Sequence, residues 1–275
     1  VHAAVKTNDM CAAAALIDRR LQAEDAAPFR PRLLVEKAKF LYADQQHIQA
    51  QETFLAALAA CEPAKTPPSE DEQRLFLALL PTYEASMDSP EALTQLLEQS
   101  EAALRSHPSY LSFEHYRAAA LANSGKFIEF FDSFYRAYQA RPECFLRYKT
   151  MGVLHMRLFE SSSDQSCRER HRGNAVAALK QAWALQPQDG PLIVKLVFML
   201  PTDERGAFLR TVVDGVRALR SPLARGECFF LIQQAIDVGE LSVAEQLIEQ
   251  AHSWYHYSRA LQGLSEQLVQ EQLKQ

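Results

Sequence analysis

Glycine is scarce in this 275-residue chain, nine residues in all, and cysteine and tryptophan are scarcer still at five and two. So few glycines beside abundant Ala, Leu, Gln and Glu fit a chain dominated by helix. The cysteines, Cys11, Cys61, Cys144, Cys167 and Cys228, are odd in number and lack CxxC spacing, which argues against a disulfide framework and against a clustered zinc site. They fit a reducing compartment, and the cytoplasm is the expected location. No apolar run is long enough to span a bilayer, so no transmembrane helix is expected. The sequence also has no GxSxG, GxxxxGK[ST] or GxGxxG motif. Without them the hydrolase, P-loop and dinucleotide readings have no anchor, and neither a catalytic residue nor a cofactor is expected. Excess positive charge is missing too. A net charge of −5 gives no broad attraction to phosphate, and nucleic acid is not an expected partner.

What is present is a core's worth of apolar residues, 48% of the chain against 23% charged, and a spacing. Pro63, Pro108, Pro142, Pro187 and Pro222 recur at steps of 45, 34, 45 and 35 residues, each at or just past a stretch that reads as helix. A fixed period in this range is the mark of a stacked repeat. The clearest unit runs from Tyr110 to Pro142. Ala118 and Leu121 lie on its first helix, Gly125 breaks the chain, and Phe127, Phe134 and Ala137 follow before the closing proline. Small residues let two helices approach, and aromatic knobs fill the neighbouring holes. The same register recurs as Leu34, Ala38, Leu41, Ala50, Phe54 and Ala57; as Tyr148, Met151, Gly152, Ala175, Leu179 and Ala182; and as Gly239, Ala244, Ile248 and Ala251. Pro90 suits the first turn of a helix.

This pattern resembles the tetratricopeptide repeat, with Phe130 standing where that family places alanine. The resemblance implies an all-α fold, a right-handed superhelical solenoid of antiparallel helix pairs in one domain, 1–275. Residues 1–30 would form a partial repeat, 31–63, 72–108, 110–142, 143–187, 190–221 and 222–253 the pairs, and 255–275 a capping helix. Because the chain opens at Val1 inside repeat-like sequence, it is expected to be part of something longer.

The resemblance further implies a concave groove lined by first-helix residues. These are Arg32, Val35, Lys39 and Tyr42; Ser112, His115, Ala119 and Asn123; and Lys149, Val153, Met156 and Arg157. The lysine and following asparagine by which some members clamp a chaperone C-terminus are absent, the matching pairs being Val35 with Lys39, His115 with Ala119 and Lys149 with Val153. Two segments read as loops. One is Glu62 to Glu72. The other, Glu160 to Gly173, carries Arg168, Arg170, His171 and Arg172, a candidate grip for a phosphate or an acidic peptide. His252 and His256 share a helical spacing but lack a third ligand, so no metal is expected. Phe127, Phe130, Phe131, Phe134 and Tyr135 crowd one helix and read either as inter-repeat core or as a ligand pocket. The expected function is a non-catalytic interaction module, an adaptor, scaffold or chaperone, holding a partner protein or peptide in its groove. The alternative is a small-molecule or lipid-binding accessory protein of a transport or secretion system.

Overall fold

A computed structural model describes residues 10–61, 68–86, 89–140, 145–217, 219, 222–255 and 258–274. Every regular element among them is helical. A first compact unit, Val1–Arg147, contains α1 (Met10–Leu21), a 3-10 turn (Glu24–Phe29), α2 (Arg30–Ala43), α3 (His47–Ala59), α4 (Glu70–Ala78), α5 (Leu80–Ala85), α6 (Pro90–Ser106), α7 (Phe113–Asn123) and α8 (Phe127–Ala140). A second unit, Tyr148–Gln275, takes in most of α9 (Phe145–Ser161), then α10 (Gln165–Leu185), α11 (Gly190–Met199), α12 (Thr202–Arg217), α13 (Arg225–Asp237), α14 (Leu241–Trp254) and α15 (Arg259–Gln272).

The repeat shows first in its turns. Between α2 and α3 the backbone enters the left-handed region at Gln45 (φ 62°). There the Gln46 N–H donates to the Leu41 carbonyl at 2.9 Å, and the Gln45 N–H to that of Tyr42 at 3.1 Å. Between α7 and α8, Gly125 (φ 73°) takes the same place, with Lys126 N–H to Leu121 at 2.9 Å and Gly125 N–H to Ala122 at 3.1 Å. Between α13 and α14 it is Gly239 (φ 77°), with Glu240 N–H to Ala235 at 2.8 Å and Gly239 N–H to Ile236 at 3.0 Å. Each is a Schellman cap, which satisfies the last carbonyls of one helix while reversing the chain into the next. Helix starts are marked as clearly. The side chains of Ser69, Ser89, Asp164 and Asp189 each accept from a backbone N–H three residues on, satisfying one of the orphan donors of a first turn. Pro90 is the first residue of α6. Pro81 lacks the N–H that would have continued α4, so the chain breaks there into α4 and α5.

Small residues line the contacts. Ala38, Ala50, Ala57, Ala118, Ala137, Ala175, Ala182, Ala244 and Ala251 are all fully buried. At Gly152 a Cβ would meet Leu179 Cδ2 at 2.5 Å, so glycine sets how closely α9 approaches α10. The second unit's core joins Ile193, Val197, Leu209, Val212, Leu231, Ile232 and Leu247 to Leu261 and Leu268 of α15. Pro108, Pro187 and Pro222 lie beyond α6, α10 and α12. Pro63 and Pro142, most of the Glu62–Glu72 segment, Cys144 and His256 lie outside the described residues.

Two features differ from the expectation. In a solenoid each repeat touches its neighbours in sequence, but α2 and α3 pack against α8, the second helix of the pair after next. Aromatic rings make that contact: Phe54 lies 4.5 Å from Phe131, 5.7 Å from Phe130 and 6.0 Å from Phe134, centroid to centroid. The ring at Phe130, where alanine was expected, therefore fills space against α3. The second difference is Glu160–Gly173. Only Ser162–Asp164 are non-helical; α10 begins at Gln165 under the Asp164 cap and carries the arginines on its first two turns.

Candidate functional site

The face of α2 expected to line a groove is covered by α8. Val35 is buried, and Tyr42 packs on Phe127 and Phe131 at 5.3 and 5.9 Å. Arg32 Nη1 and Lys39 Nζ both reach the Asp132 carboxylate, at 3.0 and 2.8 Å, and Glu36 joins them from the same helix. Burial acts to lower the Lys39 pKa, but its bonds to Asp132 and Glu36 outweigh that and hold it above the ordinary lysine value. These four positions are intramolecular contacts.

The next set is covered as well. Ser112 and His115 are fully buried, and Ala119 nearly so. The Ser112 N–H and hydroxyl both donate to Glu72, so a carboxylate from α4 caps the start of α7, where the helix dipole favours negative charge. Phe76 of α4 stacks on Tyr116 at 4.3 Å. Asn123, at the end of α7, is exposed.

In the second unit Lys149 is buried against Asp189, 2.7 Å away, their side chains 11% and 12% exposed. Asp189 also accepts from Leu192 N–H, capping α11. Burial, with the like charge of Lys149, lowers the Lys195 pKa. Val153 and Met156 are half-buried and Arg157 is exposed.

The arginines of α10 have partners of their own. Arg172 donates to the carbonyls of Met199 and Leu200, at 2.9 and 3.1 Å, closing the C-terminal end of α11. Arg168 lies over the Phe159 ring, 4.8 Å from its centroid, and Arg170 reaches His171 Nε2 at 3.4 Å. They diverge, so the expected anion-gripping loop is corrected to a helix in which Arg168 and Arg172 reach the neighbouring helices and Arg170 reaches His171 of the same helix. Buried between α9 and α10, His155 Nδ1 and His171 Nδ1 lie 3.1 Å apart. A guanidinium can only donate, so Arg170 assigns His171 the Nδ1–H tautomer and His155 the accepting Nδ1. Burial, with His171 and Arg170 adding to it, pushes the His155 imidazole down to about 4. His252 is exposed, and no three His, Cys, Asp or Glu among the described residues are grouped to hold a metal.

Phe130, Phe131 and Phe134 are at most 1% exposed and engaged with Phe54. The crowded aromatic helix is inter-helix core, which leaves the ligand-pocket alternative without its pocket.

An accessible hollow lies where the sequence pointed to none. A cleft of about 370 Å³ opens between α1, α2 and α3, with Ala14 and Leu41 at its base and Asp18, Lys37, Gln49 and Glu52 around it. Asp18 and Lys37 pair at 2.6 Å. The N-terminal segment carries few of the repeat's marker residues, and Gln49 and Glu52 lie on the polar side of α3, so only the fold brings them together.

No protein-family model matches the chain, and no curated protein matches its sequence. Among solved structures, TTC0263, a thermophilic TPR protein of Thermus thermophilus, is 18% identical over 74% of this chain and 98% of its own, with a TM-score of 0.43. PilW, a widely conserved type IV pilus biogenesis factor, is 17% identical over 88% of this chain and 99% of its own, also at 0.43. Likeness at this level carries no argument of its own. The chain folds as antiparallel helix pairs with small residues buried at their contacts and Schellman turns recurring between them, an all-helical repeat architecture. No described helix is long and apolar enough to cross a membrane.

Proposed function

We infer that the chain is a non-catalytic interaction module that holds a segment of a partner protein against its helices. The observation carrying this reading is the cleft between α1, α2 and α3, which falls in the size range of binding sites and combines an apolar base with polar walls. The expected groove lining of the pairs 31–63 and 110–142 is covered, apart from Asn123. The cleft, with Asn123, Met156 and Arg157 as secondary positions, is therefore where a partner is sought. Affinity capture with the wild-type chain and with Ala15→Trp tests it, since Ala15 is an exposed residue of the cleft wall and the indole would fill the space. A protein retained by the wild type and lost from Ala15→Trp supports the reading. Equal retention by both removes the cleft from the account, and retention by neither removes the module function.

A further inference from the structure

We propose that the open face of α11, in the second unit, docks a partner segment carrying a carboxylate and an apolar side chain on one edge, the carboxylate on Lys195 and the apolar group on Phe198. The specificity rests on the interaction-module reading above and adds a contact that the cleft does not supply. Six of the ten residues of α11 are buried, Gly190, Leu192, Ile193, Leu196, Val197 and Met199. The other four, Pro191, Val194, Lys195 and Phe198, are spaced i, i+3, i+4 and i+7, which puts them in one stripe along the helix. Three of the four are apolar. Pro191, Val194 and Lys195 are half-buried, and Phe198 is 43% exposed. Lys149 of α9 and Glu227 of α13 both act on the Lys195 ammonium, so the stripe runs between those two helices.

Charge identifies the occupant. Lys195 donates no hydrogen bond and joins no ion pair among the described residues. The two carboxylates that act on it are engaged elsewhere: Asp189 accepts from Lys149 Nζ with one oxygen and from the Leu192 N–H with the other, both at 2.7 Å. Glu227 Oε2 accepts from the Ala224 N–H at 3.2 Å, at the start of its own helix. They attract the Lys195 ammonium from beyond ion-pair distance, whereas burial and the repulsion of Lys149 prevail and hold its pKa below the ordinary lysine value. A half-buried ammonium so placed is short of negative charge, and a partner's carboxylate supplies it through a charge-assisted bond. The far end of the stripe is basic too. Arg205 donates to the carbonyls of Leu200 and Phe198 at 2.9 and 3.5 Å, and burial and Arg172 lower its pKa against the pull of Asp237. A basic segment would therefore meet cations at both ends, so the face selects by repulsion as well as attraction. Phe198, between them, offers the large apolar contact that aromatic side chains bring to an interface.

The probes are blocked pentapeptides, Ala-Xaa-Ala-Leu-Ala with Xaa glutamate, glutamine or lysine, and Ala-Glu-Ala-Ala-Ala, titrated into the full isotope-labelled chain and followed by backbone amide shifts. In an extended segment, side chains two residues apart share a face at a separation of roughly 7 Å. The glutamate–leucine peptide is expected to move the amides of Val194, Lys195 and Phe198 and to bind about tenfold tighter than the glutamine peptide, the gain of one charge-assisted bond. The lysine peptide should be weaker still. Binding of the glutamate peptide should also raise the Lys195 pKa, read from its Cε–H shifts, and the glutamine peptide should leave it unmoved. Lys195→Gln is expected to abolish the preference for glutamate over glutamine, and Lys195→Arg to retain it. Phe198→Ala should weaken the leucine peptide several-fold and leave the alanine peptide unchanged. Equal binding of the glutamate and glutamine peptides, a preference that survives Lys195→Gln, or no shifts at these amides would overturn the proposal. So would shifts at the same amides that depend on protein concentration alone, since a second copy of the chain would then cover the stripe. If the peptides fail while Ala15→Trp still abolishes capture of a protein, the α11 contact is wrong and the module reading stands. If both fail, both fall.

Discussion

Replacing Phe54 by alanine tests whether α2 and α3 are fastened to α8. The ring is fully buried, centred 4.5 to 6.0 Å from Phe131, Phe130 and Phe134. Withdrawing an aromatic side chain of this size from water contributes about 2–3 kcal/mol. The cavity left among rings that cannot close over it raises the total for a buried Phe→Ala change to about 3–5 kcal/mol. The Asp132 ion pairs with Arg32 and Lys39 persist in the variant but are partly exposed, and pairs of that kind contribute at most about 1 kcal/mol each, too little to mask the loss. For a body of this size each kcal/mol moves Tm by about 3 °C, so a fall of roughly 9–15 °C is expected. The assay is thermal and urea unfolding by circular dichroism, with Phe29→Ala as control, since Phe29 is 58% exposed and should change stability by less than about 0.5 kcal/mol. A Phe54→Ala protein that melts with the control would refute the packing of the first pair on α8.

Four further outcomes follow from the same geometry. Gly173→Ala, in mid-helix with nothing near the new methyl, should stabilise by about 0.5–1 kcal/mol; Gly152→Ala should destabilise by about 1–2 kcal/mol, because its methyl would strike Leu179 and overpacking outweighs the propensity gain. Gln45→Gly, relieving a left-handed residue, should raise stability by about 0.5–1 kcal/mol in urea melts. For the histidine pair the sign is set by the lowered His155 pKa. Below about 6.5, the ordinary histidine value, the unfolded chain binds a proton that the folded chain refuses until about pH 4, so stability should fall across that interval. His155→Gln, which can still accept from His171, should flatten the loss between pH 7 and 5; an unchanged pH profile would contradict the pairing.

Much of the fold is legible in the sequence because small residues at helix contacts leave a pattern. Ala38, Ala118, Ala137, Ala175 and Ala182 stand at recurring positions of the sequence repeat and are buried as that pattern requires. Gly125 and Gly239 mark turns that only a left-handed residue makes easily, whereas Gln45 occupies the third such turn without announcing it. The contact of α3 with α8 is not legible, because it joins segments some eighty residues apart through rings that would serve as well in any other core. The start of α10 is obscured for a different reason. Its first turns are solvated and charged, so they lack the apolar stripe by which a helix is recognised, although the Asp164 cap was there to be read. The groove positions fail on tertiary grounds: Arg32, Lys39 and Lys149 have the charge expected of a binding face, but Asp132 and Asp189 lie opposite them.

Site-specific photocrosslinking decides which face of the first helix pair is open. A benzophenone amino acid is placed at position 42 in one sample and at position 49 in another, in the presence of the captured partner. The prediction is that position 49 crosslinks the partner while position 42 yields only an internal link to residues 127–140. A partner crosslink from position 42 with none from position 49 would mean that the first helix pair stands away from α8, leaving the groove open and the cleft unused.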